Sequence, residues 1–165
     1  MPTHAGAGSI ERLAPAFTVR SLEGKTLRLD SLRVRGPVVL DFWATWCKPC
    51  VAAIPELEQT ARDLSPRGLT VLGVSVDGPR NYAKVRPFVA KLGISYPVTL
   101  DEDGALQEKY QVRSIPTTVL IARGGAIVKV VQGYRPGESQ TLRAAIEALL
   151  PAAVDSTAAD TLRAH

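Results

Sequence analysis

The chain has 165 residues, 45% hydrophobic and 22% charged, which suits a single domain able to bury a full core without cross-links. Two cysteines are too few for a disulfide-stapled scaffold, and no apolar stretch reaches the roughly 18 to 20 residues that a membrane span requires. The net charge of +4 comes mostly from scattered arginines, and aromatics make up only 5%, so no nucleic-acid surface is expected.

Residues 1–12 are small and polar and read as a flexible lead-in. They lack a basic segment followed by an apolar one, so the chain as written is expected in the cytoplasm. A periplasmic or other extracytoplasmic setting is the alternative if a leader or anchor has been removed. Phe17-Thr18-Val19-Arg20 and Thr26-Leu27-Arg28-Leu29 alternate apolar with polar about Glu23-Gly24, which predicts a hairpin. Residues 37–43 form a near-continuous apolar strand, as expected for a strand buried on both faces. After Cys47 and Cys50, the apolar positions Val51, Ile54, Leu57, Ala61 and Leu64 predict a helix ended by Ser65-Pro66-Arg67-Gly68, with Pro55 expected to kink it.

Leu69–Val76 reads as a second buried strand, broken by Asp77-Gly78-Pro79. Tyr82, Val85, Phe88, Val89 and Leu92 mark another helix face. Tyr96–Leu100 is a short strand and Ala105–Tyr110 a short helix. Thr117–Ile121 and Ala126–Val131 flank Arg123-Gly124-Gly125 as a hairpin, and Glu138–Leu150 closes the domain as an amphipathic helix. The Ala-rich segment 151–165 shows no core-building pattern and is expected to be mobile. Alternating strands and helices followed by a hairpin predict an α/β fold with a mixed central sheet flanked by helices.

Cys47 and Cys50 lie three apart in Trp46-Cys47-Lys48-Pro49-Cys50, at the junction of a strand and a helix. Free N–H groups and the positive end of the helix dipole favour a Cys47 thiolate there, with Lys48 adding positive charge. Pro49 suits a first helical turn, where its missing N–H costs nothing. Cys50, one turn further in, is the expected resolving thiol. Other uses of the pair fit poorly. A zinc site would need two more ligands, yet His4 and His165 stand at opposite ends of the chain. Haem attachment needs a histidine where Val51 stands, and a Cys–His hydrolase finds no histidine in a folded segment. A structural disulfide closing so short a loop would constrain little. No metal and no cofactor beyond the Cys47–Cys50 couple is expected.

Asp41 sits six residues before Cys47, inside the buried strand, where a carboxylate is costly and its pKa should rise. It reads either as a proton acceptor for Cys50, through water, or as a solvated structural group. Ile115-Pro116-Thr117 opens a strand. Pro116 is there either as a simple strand start or as a cis-proline that turns the Ile115 backbone towards the dithiol as a ledge for substrate.

Asp-Phe-Trp-Ala-x-Trp-Cys-x-Pro-Cys, Pro55, Ile115-Pro116-Thr117 and Gly133 together resemble the thioredoxin superfamily over residues 13–150. Ala14-Pro15-Ala16-Phe17, Gly24-Lys25, Leu29–Leu32 and an extra helix–strand around residues 80–100 resemble TlpA/ResA-type thiol–disulfide oxidoreductases more than plain thioredoxin. The resemblance implies Cys47 as nucleophile, Cys50 as resolver, Asp41 as buried acid and Ile115-Pro116 as a cis-proline platform. Trp46, Lys48, Pro49, Ile115, Pro116 and Gly133 would form the substrate surface.

A monomeric reductase of protein disulfides, fed by an upstream dithiol donor, is the expected activity. A disulfide oxidase or isomerase and a non-enzymatic redox sensor are its alternatives. A peroxiredoxin lacks support, since Pro-x-x-x-Thr-x-x-Cys precedes neither cysteine. Two departures from thioredoxin stand inside the domain. Gly73 replaces a lysine near the buried aspartate, and Lys48 replaces a glycine, which should make the couple more oxidising than about −270 mV.

Overall fold

The computed structural model describes residues 11–152. Most of the lead-in and tail read from the sequence lies outside them. Arg12, placed in the lead-in, accepts a hydrogen bond from Ile127 N at 2.8 Å, and Leu13 bridges to Ala126.

Two short strands, β1 (Thr18–Arg20) and β2 (Thr26–Arg28), pair as the N-terminal hairpin and lead into a single helical turn, α1 (Leu29–Leu32). The domain then runs β3 (Val38–Trp43), α2 (Lys48–Leu64), β4 (Thr70–Ser75), α3 (Tyr82–Leu92), β5 (Val98–Leu100), α4 (Ala105–Lys109), β6 (Thr117–Ile121), β7 (Ile127–Gln132) and α5 (Glu138–Leu149). The five-stranded sheet has the order β5-β4-β3-β6-β7. β3, β4 and β5 are parallel because helices return the chain between them, and β6 and β7 are antiparallel because a tight turn joins them. Helix α2 opens at Lys48, directly after Cys47, and runs through Pro55 without a break.

β3 occupies the centre of the sheet, and every one of its residues is buried. Successive side chains point to opposite faces, so the strand serves two cores. Val38, Leu40 and Phe42 pack with Phe17, Leu29, Leu106 and Tyr110 beneath the hairpin and α4. Val39 and Trp43 pack with Ile54, Leu57 and Leu64 of α2, Val85 of α3, and Leu142 and Ile146 of α5. At about 1.5–3 kcal/mol for each large side chain fully buried, these two layers are the main source of the domain's stability. Asp41, between Val39 and Trp43 in the alternation, falls on the α2 face, where every neighbour in the strand pattern is apolar.

Gly73 of β4 is the register partner of Asp41. A Cβ there would lie 3.1 Å from Trp43 Nε1, 3.1 Å from Val98 Cγ2 and 3.2 Å from the Tyr96 ring. Two aromatic side chains therefore fill the space beside the acid. A lysine at position 73 would have to displace them, which gives the departure from thioredoxin a steric reason.

Candidate active site

Cys47 is the N-cap of α2, with extended backbone (φ −88°, ψ 102°), and its Sγ accepts a hydrogen bond from Cys50 N at 3.3 Å. An unpaired N–H of the first helical turn thus points at the sulfur, which favours negative charge on it. The two cysteines are joined as a disulfide, with Cα atoms 5.3 Å apart. Both are buried, Cys47 at 5% exposure and Cys50 at 1%. The order expected from the sequence holds, but the difference is small, so helix position and not exposure distinguishes the two sulfurs.

Around them the surface is uneven. Trp46 is 62% exposed, an unusual placement for so large an apolar side chain, and Lys48 and Pro49 are exposed beside it. The Ile115–Pro116 peptide is cis. Gly133 N donates to Pro116 O at 2.8 Å, so the end of β7 is tied to the proline. Gly133 adopts φ +81°, a backbone conformation that glycine holds without strain.

Asp41 is 6% exposed, and burial pushes its carboxyl up from 3.8 to about 7, partly opposed by a 3.3 Å hydrogen bond from Thr118 Oγ1 to Oδ1. The acid is not sealed off. A cavity of about 50 Å³ has Asp41, Ala53, Thr60, Pro116, Thr118 and Gly133 on its walls, between α2, β7 and α5. Ala53 is one turn along α2 from Cys50. A water needs about 10–15 Å³, so the cavity has room for water beside the acid.

Two supports were not read from the sequence. Asp77, seen there only as a strand breaker, is 1% exposed and accepts hydrogen bonds from Thr45 N (3.0 Å), Thr45 Oγ1 (2.6 Å) and Ser75 Oγ (2.8 Å). It ties the loop that leads into Cys47 to the end of β4. Asp77→Ala is expected to leave these buried donors unpaired and cost about 3 kcal/mol in chemical denaturation. It should also slow thiol–disulfide exchange with a small disulfide, since the loop before Cys47 loses its anchor. Glu58 of α2, 7% exposed, is the second support: Arg62 Nε (2.6 Å) and Ser95 N (2.9 Å) donate to it. Burial acts against its charge, but these bonds prevail and hold its carboxyl below the usual range. It thereby fixes the segment that carries Tyr96. Neither carboxylate stands in a motif; each acts on residues 32 and 37 positions away, a separation that spacing in the sequence cannot reveal.

A central mixed sheet, a Cys-x-x-Cys pair capping a helix and a neighbouring cis-proline define a thiol–disulfide oxidoreductase of the thioredoxin fold. The family profile described as AhpC/TSA matches residues 10–130. The thiol-disulfide oxidoreductase ResA of Geobacillus thermodenitrificans is 33% identical over 131 residues, which cover 79% of this chain and 74% of that protein. A solution structure from Bacteroides thetaiotaomicron, described as a candidate protein disulfide isomerase, is 32% identical with a TM-score of 0.77, covering 86% of this chain and 90% of its own. A secreted disulfide oxidoreductase of Mycobacterium tuberculosis is 27% identical with a TM-score of 0.68, covering 81% and 96%. The chain belongs to the AhpC/TSA family of the thioredoxin superfamily and, within it, to the ResA-type thiol–disulfide oxidoreductases.

Proposed function

We propose that the protein reduces disulfides of protein substrates through a mixed disulfide on Cys47. The Cys47 thiolate attacks one sulfur of the substrate disulfide; a Cys47–substrate disulfide forms and the other substrate sulfur leaves as a thiol after taking up a proton. The Cys50 thiol then passes its proton to the Asp41 carboxylate through cavity water. Its thiolate attacks Cys47 Sγ, and the second substrate sulfur departs. The net change is one substrate disulfide reduced to two thiols and the enzyme dithiol oxidised to the Cys47–Cys50 disulfide. An upstream dithiol donor restores the reduced form, and no other redox group is called upon.

The observation that carries this reading is Asp41. A buried acid that titrates near neutrality, on a cavity one helical turn from Cys50, is suited to taking a proton from the resolving thiol at physiological pH. Trp46, Lys48 and Pro49 on one side, with Ile115, Pro116 and Gly133 on the other, form the surface that receives an extended substrate segment. Such a surface asks for no second subunit, and the monomer remains the expected state. An extracytoplasmic setting is favoured by the likeness to a secreted relative.

The second reading, a disulfide isomerase or oxidase, draws on the likeness to the Bacteroides thetaiotaomicron structure. Equilibration of the Cys47–Cys50 couple against glutathione separates the two. A potential near thioredoxin's, about −270 mV, with turnover of insulin disulfides supports the reductase, whereas a value near about −120 mV overturns it.

A further inference from the structure

Two buried donors on the Asp41 face of the sheet have no hydrogen-bond partner among the described residues: Trp43 Nε1 and Tyr96 Oη. An indole N–H can only donate, and buried polar atoms without partners are uncommon enough to require a reason. Both groups lie over Gly73, the strand neighbour of Asp41, since a Cβ on that glycine would meet Trp43 Nε1 at 3.1 Å and the Tyr96 ring at 3.2 Å. Gly73 is on the strand next to Asp41, so the pair stands over the neighbouring strand position on the same face as the acid.

Three carboxylates stand near this face, and Glu138, whose Oε2 is buried without a partner among the described residues, lies across the cavity from Asp41. Glu58 already receives Arg62 on one oxygen and Ser95 N on the other. Thr118 Oγ1 occupies only Oδ1 of Asp41, leaving Oδ2 for further donors. The Asp41 charge is close enough to Tyr96 to help hold its phenol above the ordinary range, although burial is the larger cause and Glu58 adds to it.

We infer that Tyr96 and Trp43 are positioning residues for Asp41: their O–H and N–H donate to its carboxylate when the acid ionises. They replace the charged neighbour that the lysine of thioredoxin would supply, with two neutral donors in a dry wall of the site. Asp41 then has two sides. The cavity towards α5 delivers and removes its proton, and the aromatic side stabilises the anion. The other titratable groups around it are Glu56 and Glu58 on α2, Glu138 at the start of α5, Tyr134 before α5, and the reduced dithiol itself.

The inference rests on Asp41 as the proton acceptor in turnover, but its test does not use turnover. Carboxyl-carbon NMR of the oxidised, full chain follows Asp41 directly. Tyr96→Phe is expected to raise the Asp41 midpoint by about one pH unit, as losing a donor to the charged form should. The same variant is expected to melt at or above the wild-type temperature at pH 5, where the hydroxyl has no ionised acceptor, and below it at pH 9. In the wild type, the Trp43 indole N–H resonance is expected to titrate with the Asp41 midpoint and to be flat in Asp41→Asn. An unmoved Asp41 midpoint in Tyr96→Phe, or a Trp43 resonance flat with pH in the wild type, overturns the assignment. If Asp41→Asn leaves the release step unaffected while these shifts are present, only the catalytic reading of Asp41 falls.

Discussion

Cys50→Ser is expected to accumulate one covalent substrate adduct per chain, on Cys47, while Cys47→Ser accumulates none. The backbone N–H that supports the Cys47 sulfur belongs to residue 50 and survives the exchange of its side chain. The first attack should therefore proceed. What is lost is the intramolecular resolver. The helix holds the resolving sulfur against Cys47, with the two Cα atoms 5.3 Å apart, and such placement corresponds to effective molarities on the order of 10⁵ M or more. External thiol at millimolar concentration cannot match that, so steady-state turnover should drop by at least about 1000-fold. Non-reducing electrophoresis and intact mass of the adduct check the result. Comparable trapping through Cys50 in the Cys47→Ser variant would sink the assigned order of attack, since the exposures of the two sulfurs do not separate them.

The placement of Cys47 at the start of α2 was legible in the sequence because it depends on a local rule. Strand, loop and helix follow one another within fifteen residues, and the first cysteine must then cap the helix. The sheet was legible for a similar reason, as buried strands such as Val38–Trp43 are continuous apolar runs with helices between them. Boundaries moved inward because apolar residues continue past the paired segment: Tyr96 and Pro97 are outside β5, Leu69 and Val76 are outside β4, and α1 was too short to show a periodicity of its own. The supports of the site were not legible. Asp77 reaches Thr45, and Glu58 reaches Ser95, only after β3 and β4 align and α2 packs over them. Gly73 marked a departure from thioredoxin, but its cause is the pair of rings above it, which no linear pattern contains. Exposure was no guide either, for Cys47 is 5% exposed and Cys50 1% in the disulfide form.

Asp41→Asn is expected to make the protein more stable and the enzyme slower. The folded-state pKa of Asp41 is raised from 3.8 to about 7 by burial, so the folded chain holds this proton more tightly than the unfolded chain. Below pH 4 both states are protonated and the acid imposes no penalty. As pH rises from about 4 to 7 the unfolded state ionises first and folding stability is lost; above about 8 the full penalty is in place, about 4 kcal/mol for a rise of that size. Asparagine keeps a carbonyl for Thr118 and never ionises. Its gain should therefore be small at pH 4, grow through neutrality and level off near pH 8, as followed by urea denaturation at each pH. The kinetic effect has the opposite sign. In the proposed mechanism the carboxylate accepts the Cys50 proton, so without it release of the mixed disulfide should slow by about 10²–10³, while the attack by Cys47 changes little. Stopped-flow kinetics that resolve the two steps test this, and equal slowing of both would remove Asp41 from the proton transfer. Greater stability together with a slower release step in Asp41→Asn would show a residue kept for chemistry and not for packing.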